Sequence, residues 1–269
     1  MGLSFAADWL ALREPADHRA RASAVTEAMI GALAHIPSPR IVDLGCGRGS
    51  NLRYLALRLP TSARYLLVDG DEGLLAAAAA SAPPGPTVTT LRADLRDLDP
   101  ATTAACADLL AMAALVDLVD EAWLDRWIEA AAAHGAALLV TGNVDGRVMW
   151  EPAVDGDGPI MAAFVADQRR DKGFGPSLAD TAPRHLEARL RAAGWRLAIG
   201  EADWHLADEA DAPLQHAYLE GVVAALRGGD AVDDVLLGWW SRQREAAIVD
   251  GTSVLRVGHV DLFGDPPSR

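Results

Sequence analysis

The sequence predicts an α/β protein built on a parallel, doubly wound sheet. Three observations carry that expectation. The apolar run Ile41-Val42-Asp43-Leu44 leads into Gly45-Cys46-Gly47-Arg48-Gly49 and then into a helical stretch from Asn51. Strand, glycine loop and helix in that order open a nucleotide-binding βαβ unit. Short β-rich runs and helical runs then alternate as far as Thr141, the mark of a parallel sheet with crossover helices. Beyond it the alternation is broken by two segments, 143–180 and 207–250, which read as helical insertions at the sheet edge of the kind that build lids and pockets.

Residues from about 4 to 35 look helical. Phe5, Trp9, Leu10 and Leu12 form one apolar patch, Pro15 interrupts it, and Val25, Met29, Ile30 and Leu33 resume at helical spacing. Pro37 and Pro39 end the segment, so 1–36 reads as a lead-in that covers the sheet or closes over a ligand. The second strand is Tyr65–Val68, running into Asp69-Gly70-Asp71 and a helix over Glu72–Ser81. Thr87–Leu91 is the third, ahead of Arg92-Ala93-Asp94-Leu95, and Asp108–Met112 the fourth. A helix over Trp123–Ala133 has Leu124, Trp127 and Ile128 on one face and Gly135 at its end. Ala137–Thr141 is the fifth strand. Further helices fall at Ile160–Arg170, Ala182–Ala193, Leu214–Leu226 and Val235–Ile248, with strands at Trp195–Trp204 and Ser253–Phe263. The sheet core is thus expected over 37–142, 181–206 and 251–265.

Composition bounds the function classes. A chain of 269 residues, 51% hydrophobic, suits one α/β domain with additions. No apolar run of about 18 residues is present, so no membrane association is expected. The start Met1-Gly2-Leu3-Ser4-Phe5 lacks the pattern of a signal peptide. Cys46 and Cys106 make neither a disulfide framework nor a zinc site, and a reducing cytoplasm with no metal is the simplest setting. A net charge of -14 argues against nucleic acid as substrate. The basic clusters Arg13, His18, Arg19, Arg21 and Arg169, Arg170, Lys172 read as solvated helix faces.

The glycine loop departs from the dinucleotide pattern, because position 50 is serine. Asp43 at its entrance would repel a pyrophosphate and suits a cation such as an amino-acid ammonium. Asp69, ending the second strand, can accept from both hydroxyls of a ribose. Asp94, ending the third, can accept from an exocyclic amine. Together they fit a ligand with amino-acid, ribose and adenine parts and no phosphate.

At Ile41-Val42-Asp43-Leu44-Gly45-Cys46-Gly47-x-Gly49, Leu67-Val68-Asp69, Ala93-Asp94-Leu95 and Asp108-Leu109-Leu110, in order, the chain resembles the class I S-adenosylmethionine-dependent methyltransferases. The resemblance covers roughly residues 38 to 141. It implies a Rossmann-like, seven-stranded, mostly parallel sheet whose last strand is reversed, carrying the helical lid insertions. It implies S-adenosyl-L-methionine as cofactor, with the methionine moiety at Gly45–Gly49, the ribose on Asp69 and the adenine near Gly70, Asp94 and Leu95. The candidate cofactor-binding set is Asp43, Gly45, Cys46, Gly47, Gly49, Asn51, Asp69, Gly70, Asp94, Leu95 and Met112.

The acceptor side is less determined. Related enzymes often carry a polar residue about where Asp117 falls, so Asp117 is the candidate catalytic group, as a base or as the holder of a substrate amine; it could equally cap the following helix. No Asn-Pro-Pro-Tyr type of motif follows the fourth strand, which speaks against amino-methylation of DNA or protein glutamine. Asn143, Asp145 and Arg147 are expected near the pocket. The aromatics Trp150, Phe164, Phe174, Trp204 and Tyr218 are expected mainly as lid core, and His185, His205 or His216 could serve as base. The reading is methyl transfer to oxygen, nitrogen or sulfur of a small molecule by a cytoplasmic monomer or homodimer. Its rivals are a protein or RNA methyltransferase, which a basic groove would favour, and a non-catalytic cofactor-binding protein.

Overall fold

The computed structural model describes residues 6–267; Phe5 and the rest of the chain start lie outside them. Two helices come first, α1 (Ala7–Ala20) and α2 (Ser23–Leu33). Pro15 sits inside α1 and does not end it. The break falls at Arg21-Ala22, both in extended backbone, where the Ala22 N–H donates to the buried carboxylate of Asp261 at 3.1 Å. The core then follows as β1 (Arg40–Leu44), α3 (Ser50–Ala56), β2 (Arg64–Asp69), α4 (Glu72–Ala80), β3 (Thr87–Arg92), α5 (Pro100–Ala104), β4 (Leu109–Ala113), α6 (Glu121–His134) and β5 (Ala137–Glu151). After α7 (Asp157–Asp167) and α8 (Ala182–Ala192) come β6 (Arg196–Glu201), β7 (Trp204–Leu206), α9 (Ala212–Leu226), α10 (Asp234–Val249) and β8 (Val254–Asp265).

The strands form one sheet in the order β3-β2-β1-β4-β5-β8-β6, with β7 also paired to β8. β1 to β5 are mutually parallel; β8 is antiparallel to each of its partners. Strand order reverses between β1 and β4, and a crevice opens beyond their carboxyl ends. Every central strand is buried on both faces, which is why its sequence reads as a nearly continuous apolar run. Alternation sorts the side chains. Val42, Leu44, Leu110, Met112, Leu138 and Val140 join the core under α6 and α8. Ile41, Leu109, Ala111, Ala137 and Leu139 join the core under α2, α3 and α4.

The sheet differs from the expected one in two places. It has eight strands rather than seven: the sixth expected strand, Trp195–Trp204, is split into β6 and β7. β8 pairs with β6 through Val260–Asp265 and with β7 through Leu255–Val257, so two short partners share one long strand. β5 also continues to Glu151, ten residues past its expected end at Thr141, and thus enters the segment 143–180 as strand. The extended β5 and β8 pair through Trp150 and Leu255 and carry a third apolar cluster with α1, α7, α9 and α10. That cluster holds a helical roof over the crevice. No helix among the described residues is long and apolar enough to cross a membrane.

Candidate functional site

The crevice is a cavity of about 920 Å³, at the upper end of the roughly 300–1,000 Å³ usual for small-molecule sites. Its floor is the loop after β1. Gly45, Gly47 and Gly49 all have positive φ, at 65°, 52° and 78°, which a side chain would strain. A Cβ at Gly47 would also lie 3.2 Å from Leu10 of α1, so glycine there keeps the space between loop and lead-in helix. Asp69 closes the loop from β2: its carboxylate accepts from the Gly47 N–H at 2.9 Å and from the Asp71 N–H at 2.9 Å. The cap of α4 is Asp71, which accepts from the Gly73 and Leu74 N–H groups, and so Asp69 is not the helix cap. Each Asp69 oxygen retains a lone pair for a hydroxyl donor.

Asp43 lies behind the loop, 1% exposed. Its Oδ1 accepts from Asn51 Nδ2 at 3.2 Å, while Oδ2 has no partner among the described residues. Asn51 in turn accepts from Arg21 Nη2 at 2.5 Å, so a polar chain runs from the α1–α2 break to the loop entrance. Burial pushes the Asp43 carboxyl up to about 7, against the opposing pull of Asn51 and Arg21. Asp94 has the opposite character. Arg96 pairs with it through both side chain and backbone and holds its carboxyl at about 2. Arg96 also donates to the Gly173 carbonyl at 3.2 Å, which fastens this edge of the cavity to the loop after α7.

Gly45, Cys46, Gly47, Asn51, Asp69, Gly70, Asp94 and Leu95 line the cavity together with Asp43 and Asp117. Two of the candidate set do not. Met112 is fully buried among the residues under α6 and α8, because its position in the strand alternation points it away from the crevice. Gly49 is the residue just before α3 and packs against α4, where a Cβ would lie 3.0 Å from Ala78. The Cys46 side chain belongs to the core under α2, and burial raises its thiol. Only its backbone is suited to a ligand.

The roof comes from α1, α7, α9 and the β5–β8 arm. Asp117 sits in a 3-10 turn, Val116–Leu118, just after β4. Its Oδ1 is buried with no partner, and burial raises its carboxyl against the nearby charges of Lys172 and Arg13. Asp120, not Asp117, caps α6, accepting from the Trp123 N–H at 2.7 Å. Ala114, between β4 and that turn, has φ 48°, a strained conformation for a residue with a Cβ.

Asn143, Asp145 and Arg147 do not reach the cavity; Thr141, Gly142 and Val144 line it instead. Arg147 is held on the surface by Asp145 and Asp203. The aromatics divide: Trp150 is core, whereas Phe164, Phe174, Trp204 and Tyr218 line the cavity. His185, His205 and His216 are elsewhere, and the cavity histidine is His259 on β8. Its Nδ1 donates to the Val257 carbonyl at 3.0 Å, which fixes the neutral tautomer and leaves Nε2 as an acceptor. Burial, with Arg13 next, depresses this imidazole to about 4. It lies 5.0 Å from the ring of Trp204, whose Nε1 donates to Asp17 at 2.9 Å. Its sequence signal was its place with Arg256 and Asp261 among the apolar residues of the last strand.

Comparison with known proteins agrees with this geometry. A family model described as a methyltransferase domain matches residues 41–135. Over 136 residues the chain is 40% identical to trans-aconitate 2-methyltransferase of Streptomyces avermitilis; the match takes in 48% of this chain and 49% of that protein, so about half the length of each. The fold is similar to that of the YcgJ protein of Bacillus subtilis, with TM-score 0.51 and 11% identity over 92% of this chain and 100% of that one. It is also similar to a cyclopropane-fatty-acyl-phospholipid synthase-like protein from Lactobacillus casei, with TM-score 0.52 and 17% identity over 93% and 91% of the two chains. These two likenesses concern the fold alone. The glycine loop, the carboxylates on β1 and β2 and the methyltransferase domain matched over residues 41–135 agree with the resemblance to the class I S-adenosylmethionine-dependent methyltransferases.

Proposed function

We propose that the protein transfers a methyl group from S-adenosylmethionine to a small-molecule acceptor, acting in the cytoplasm as a monomer or homodimer. The observation that carries this reading is the roofed cavity, which runs from the glycine loop to the aromatic side chains of α7, β7 and α9. It is a chamber for two small ligands, not a groove for a polymer. A net charge of -14 points the same way, away from RNA. The matched relative is named for trans-aconitate, which supports a small acid as acceptor.

The residues present fit the cofactor. Asp43 offers a buried carboxylate oxygen to an ammonium, the loop at Gly45–Gly47 offers open backbone, and Asp69 offers lone pairs to ribose hydroxyls. Asp94 and Leu95 would border the adenine. When bound, the cofactor supplies an electrophilic methyl group on a sulfonium. The chain's own part is alignment and exclusion of water, for which the roof provides Trp9, Phe164 and Trp204. Asp117 would hold a donor group of the acceptor. The reading is tested by supplying methyl-labelled cofactor with a panel of small mono-, di- and tricarboxylic acids including trans-aconitate, with small alcohols, amines and thiols, and with total tRNA and protein extract. Label should enter a small product; label confined to RNA or protein would overturn the small-molecule assignment.

Asp43 makes cofactor binding depend on pH. Its carboxyl is raised from its ordinary 3.8 to about 7 in the folded chain. Between those values the folded form keeps a proton that the unfolded chain has lost, so this group lowers stability as pH rises through that window. An ammonium ligand favours the ionised form. Affinity for S-adenosylhomocysteine is therefore expected to rise several-fold from about pH 6 to about pH 8, and Asp43→Asn should flatten the rise. Calorimetric titrations at a series of pH values check this; an equal slope in the variant would refute it.

A further inference from the structure

We infer that Lys172 and Gln168, side by side in the cavity roof, form a seat for a carboxylate of the acceptor, which makes the acceptor a small organic acid; the inference rests on the methyltransferase reading above. It begins from the state of the cations around the cavity. Arg13 is held by Asp17, Arg92 by Glu72, Arg96 by Asp94 and Arg170 by Asp167. Their charges are already met. Besides Arg48, which donates to the Ala7 carbonyl at 3.1 Å, two of the cavity's half-buried cations have no ion-pair partner among the described residues: Arg21 and Lys172.

These two stand at different ends. Arg21 donates to Asn51 and lies over the ring of Tyr54, 4.6 Å from its centroid, behind the glycine loop. Lys172 follows α7, on the side of Asp117, and is half-buried. Its Nζ donates to Gln168 Oε1 at 3.0 Å. An ammonium has three donors, so two remain. Because Gln168 accepts through its oxygen, its amide nitrogen is left to donate and has no acceptor among the described residues. Both side chains line the cavity. A half-buried ammonium with spare donors beside a free amide N–H₂ is a poor arrangement without a ligand, because burial disfavours the charge. Burial indeed lowers the Lys172 ammonium, against the attraction of Asp117 and Asp167 and with the opposition of Arg170.

The charge of the seat selects its occupant. One ammonium and one neutral amide match one carboxylate, which has a single negative charge and two acceptor oxygens. A phosphate dianion would bring a second negative charge towards Asp117, with Arg13 and Arg170 already occupied by their own carboxylates. Asp117 forms no ion pair with Lys172 although it senses its charge, so space separates them. An acid bearing a hydroxyl or amine beside its carboxylate would span that space, with the donor group on Asp117.

The test uses the full chain saturated with S-adenosylhomocysteine and titrated calorimetrically with the acid panel and with inorganic phosphate. At least one acid should bind, and Lys172→Met should weaken it about tenfold or more, the loss expected for a charge-assisted hydrogen bond. Lys172→Arg should restore most of the affinity, Gln168→Leu should cost about threefold, and the affinity for S-adenosylhomocysteine should stay unchanged in all three variants. Equal acid binding by wild type and Lys172→Met would overturn the seat, as would tighter binding of phosphate than of any acid. So would a protein that binds S-adenosylhomocysteine and methylates a neutral acceptor while no acid binds. Failure of wild type to bind S-adenosylhomocysteine is a separate result that would overturn the methyltransferase reading itself, and the seat with it.

Discussion

Asp69→Ala is expected to weaken S-adenosylhomocysteine binding about 100-fold. Two losses add. The first is the carboxylate proposed to accept from ribose. The second is internal: the same carboxylate accepts from the Gly47 and Asp71 N–H groups, each at 2.9 Å, and so ties the glycine loop to the end of β2 and to the start of α4. Hydrogen bonds to a charged group contribute about 1.5–3 kcal/mol each, and loss of the ribose contact together with part of the loop order reaches the stated factor. Asp69→Asn separates the two effects. An amide can accept from one backbone N–H but must turn its NH₂ towards the other, so it should fall between wild type and alanine. Calorimetry on the folded variants measures both; an affinity for the alanine variant within about threefold of wild type would remove Asp69 from the ribose site.

What was legible in the sequence is what local chemistry decides. Ile41–Leu44 and Leu109–Met112 read as strands because both faces are buried, and the glycines at 45, 47 and 49 read as a loop because positive φ has few other solutions. The carboxylates at 43, 69 and 94 follow from strand ends in a doubly wound sheet. What was not legible depends on partners far away in the chain. β5 runs on to Glu151 only because β8, more than a hundred residues later, offers a ladder through Val254. Pro15 stays inside α1, and the chain turns instead at Ala22, whose N–H is held by Asp261. Met112, named with the candidate cofactor-binding residues, is sent by strand alternation into the core under α6 and α8.

The roof obeys the same division. His185, His205 and His216 were as plausible as His259 by residue type, since only the fold decides which histidine faces the cavity. Lys172 looked like one more solvated cation beside Arg169 and Arg170. The structure separates them: both arginines have carboxylate partners, Asp180 and Asp167, and Lys172 does not. A basic cluster in sequence therefore resolves into two surface ion pairs and one group directed to the site. Segment 143–180 carries that group, and its interest lies in α7 and the loop after it rather than in the strand that opens it.

Arg244→Ala is expected to destabilise the folded protein by about 3–5 kcal/mol, the range for breaking a buried charge pair by removing one partner. Arg244 on α10 is 0% exposed, although a charged residue on a helix is normally read as solvated. Its guanidinium donates to both oxygens of Asp157, the first residue of α7, and to the Pro152 carbonyl at 2.7 Å. Trp240 Nε1 donates to the same carboxylate at 2.7 Å, and the guanidinium lies 5.4 Å from the ring centroid of Trp150. One side chain thus joins α10, the start of α7 and the end of β5. Alanine would leave the Asp157 charge and the Pro152 carbonyl short of partners and open a cavity among the tryptophans. Lysine cannot reproduce the fork and should recover little. Arg242→Ala, exposed and on the same helix, is the control and should stay within about 0.5 kcal/mol. Denaturant unfolding reads all three, and a cost below about 1 kcal/mol for Arg244→Ala would show that the roof does not depend on this pair. Because α7 leads into Gln168 and Lys172, a roof loosened at Arg244 should lose more affinity for the acid panel than for S-adenosylhomocysteine, whose proposed contacts, the glycine loop and Asp69, lie at the ends of β1 and β2.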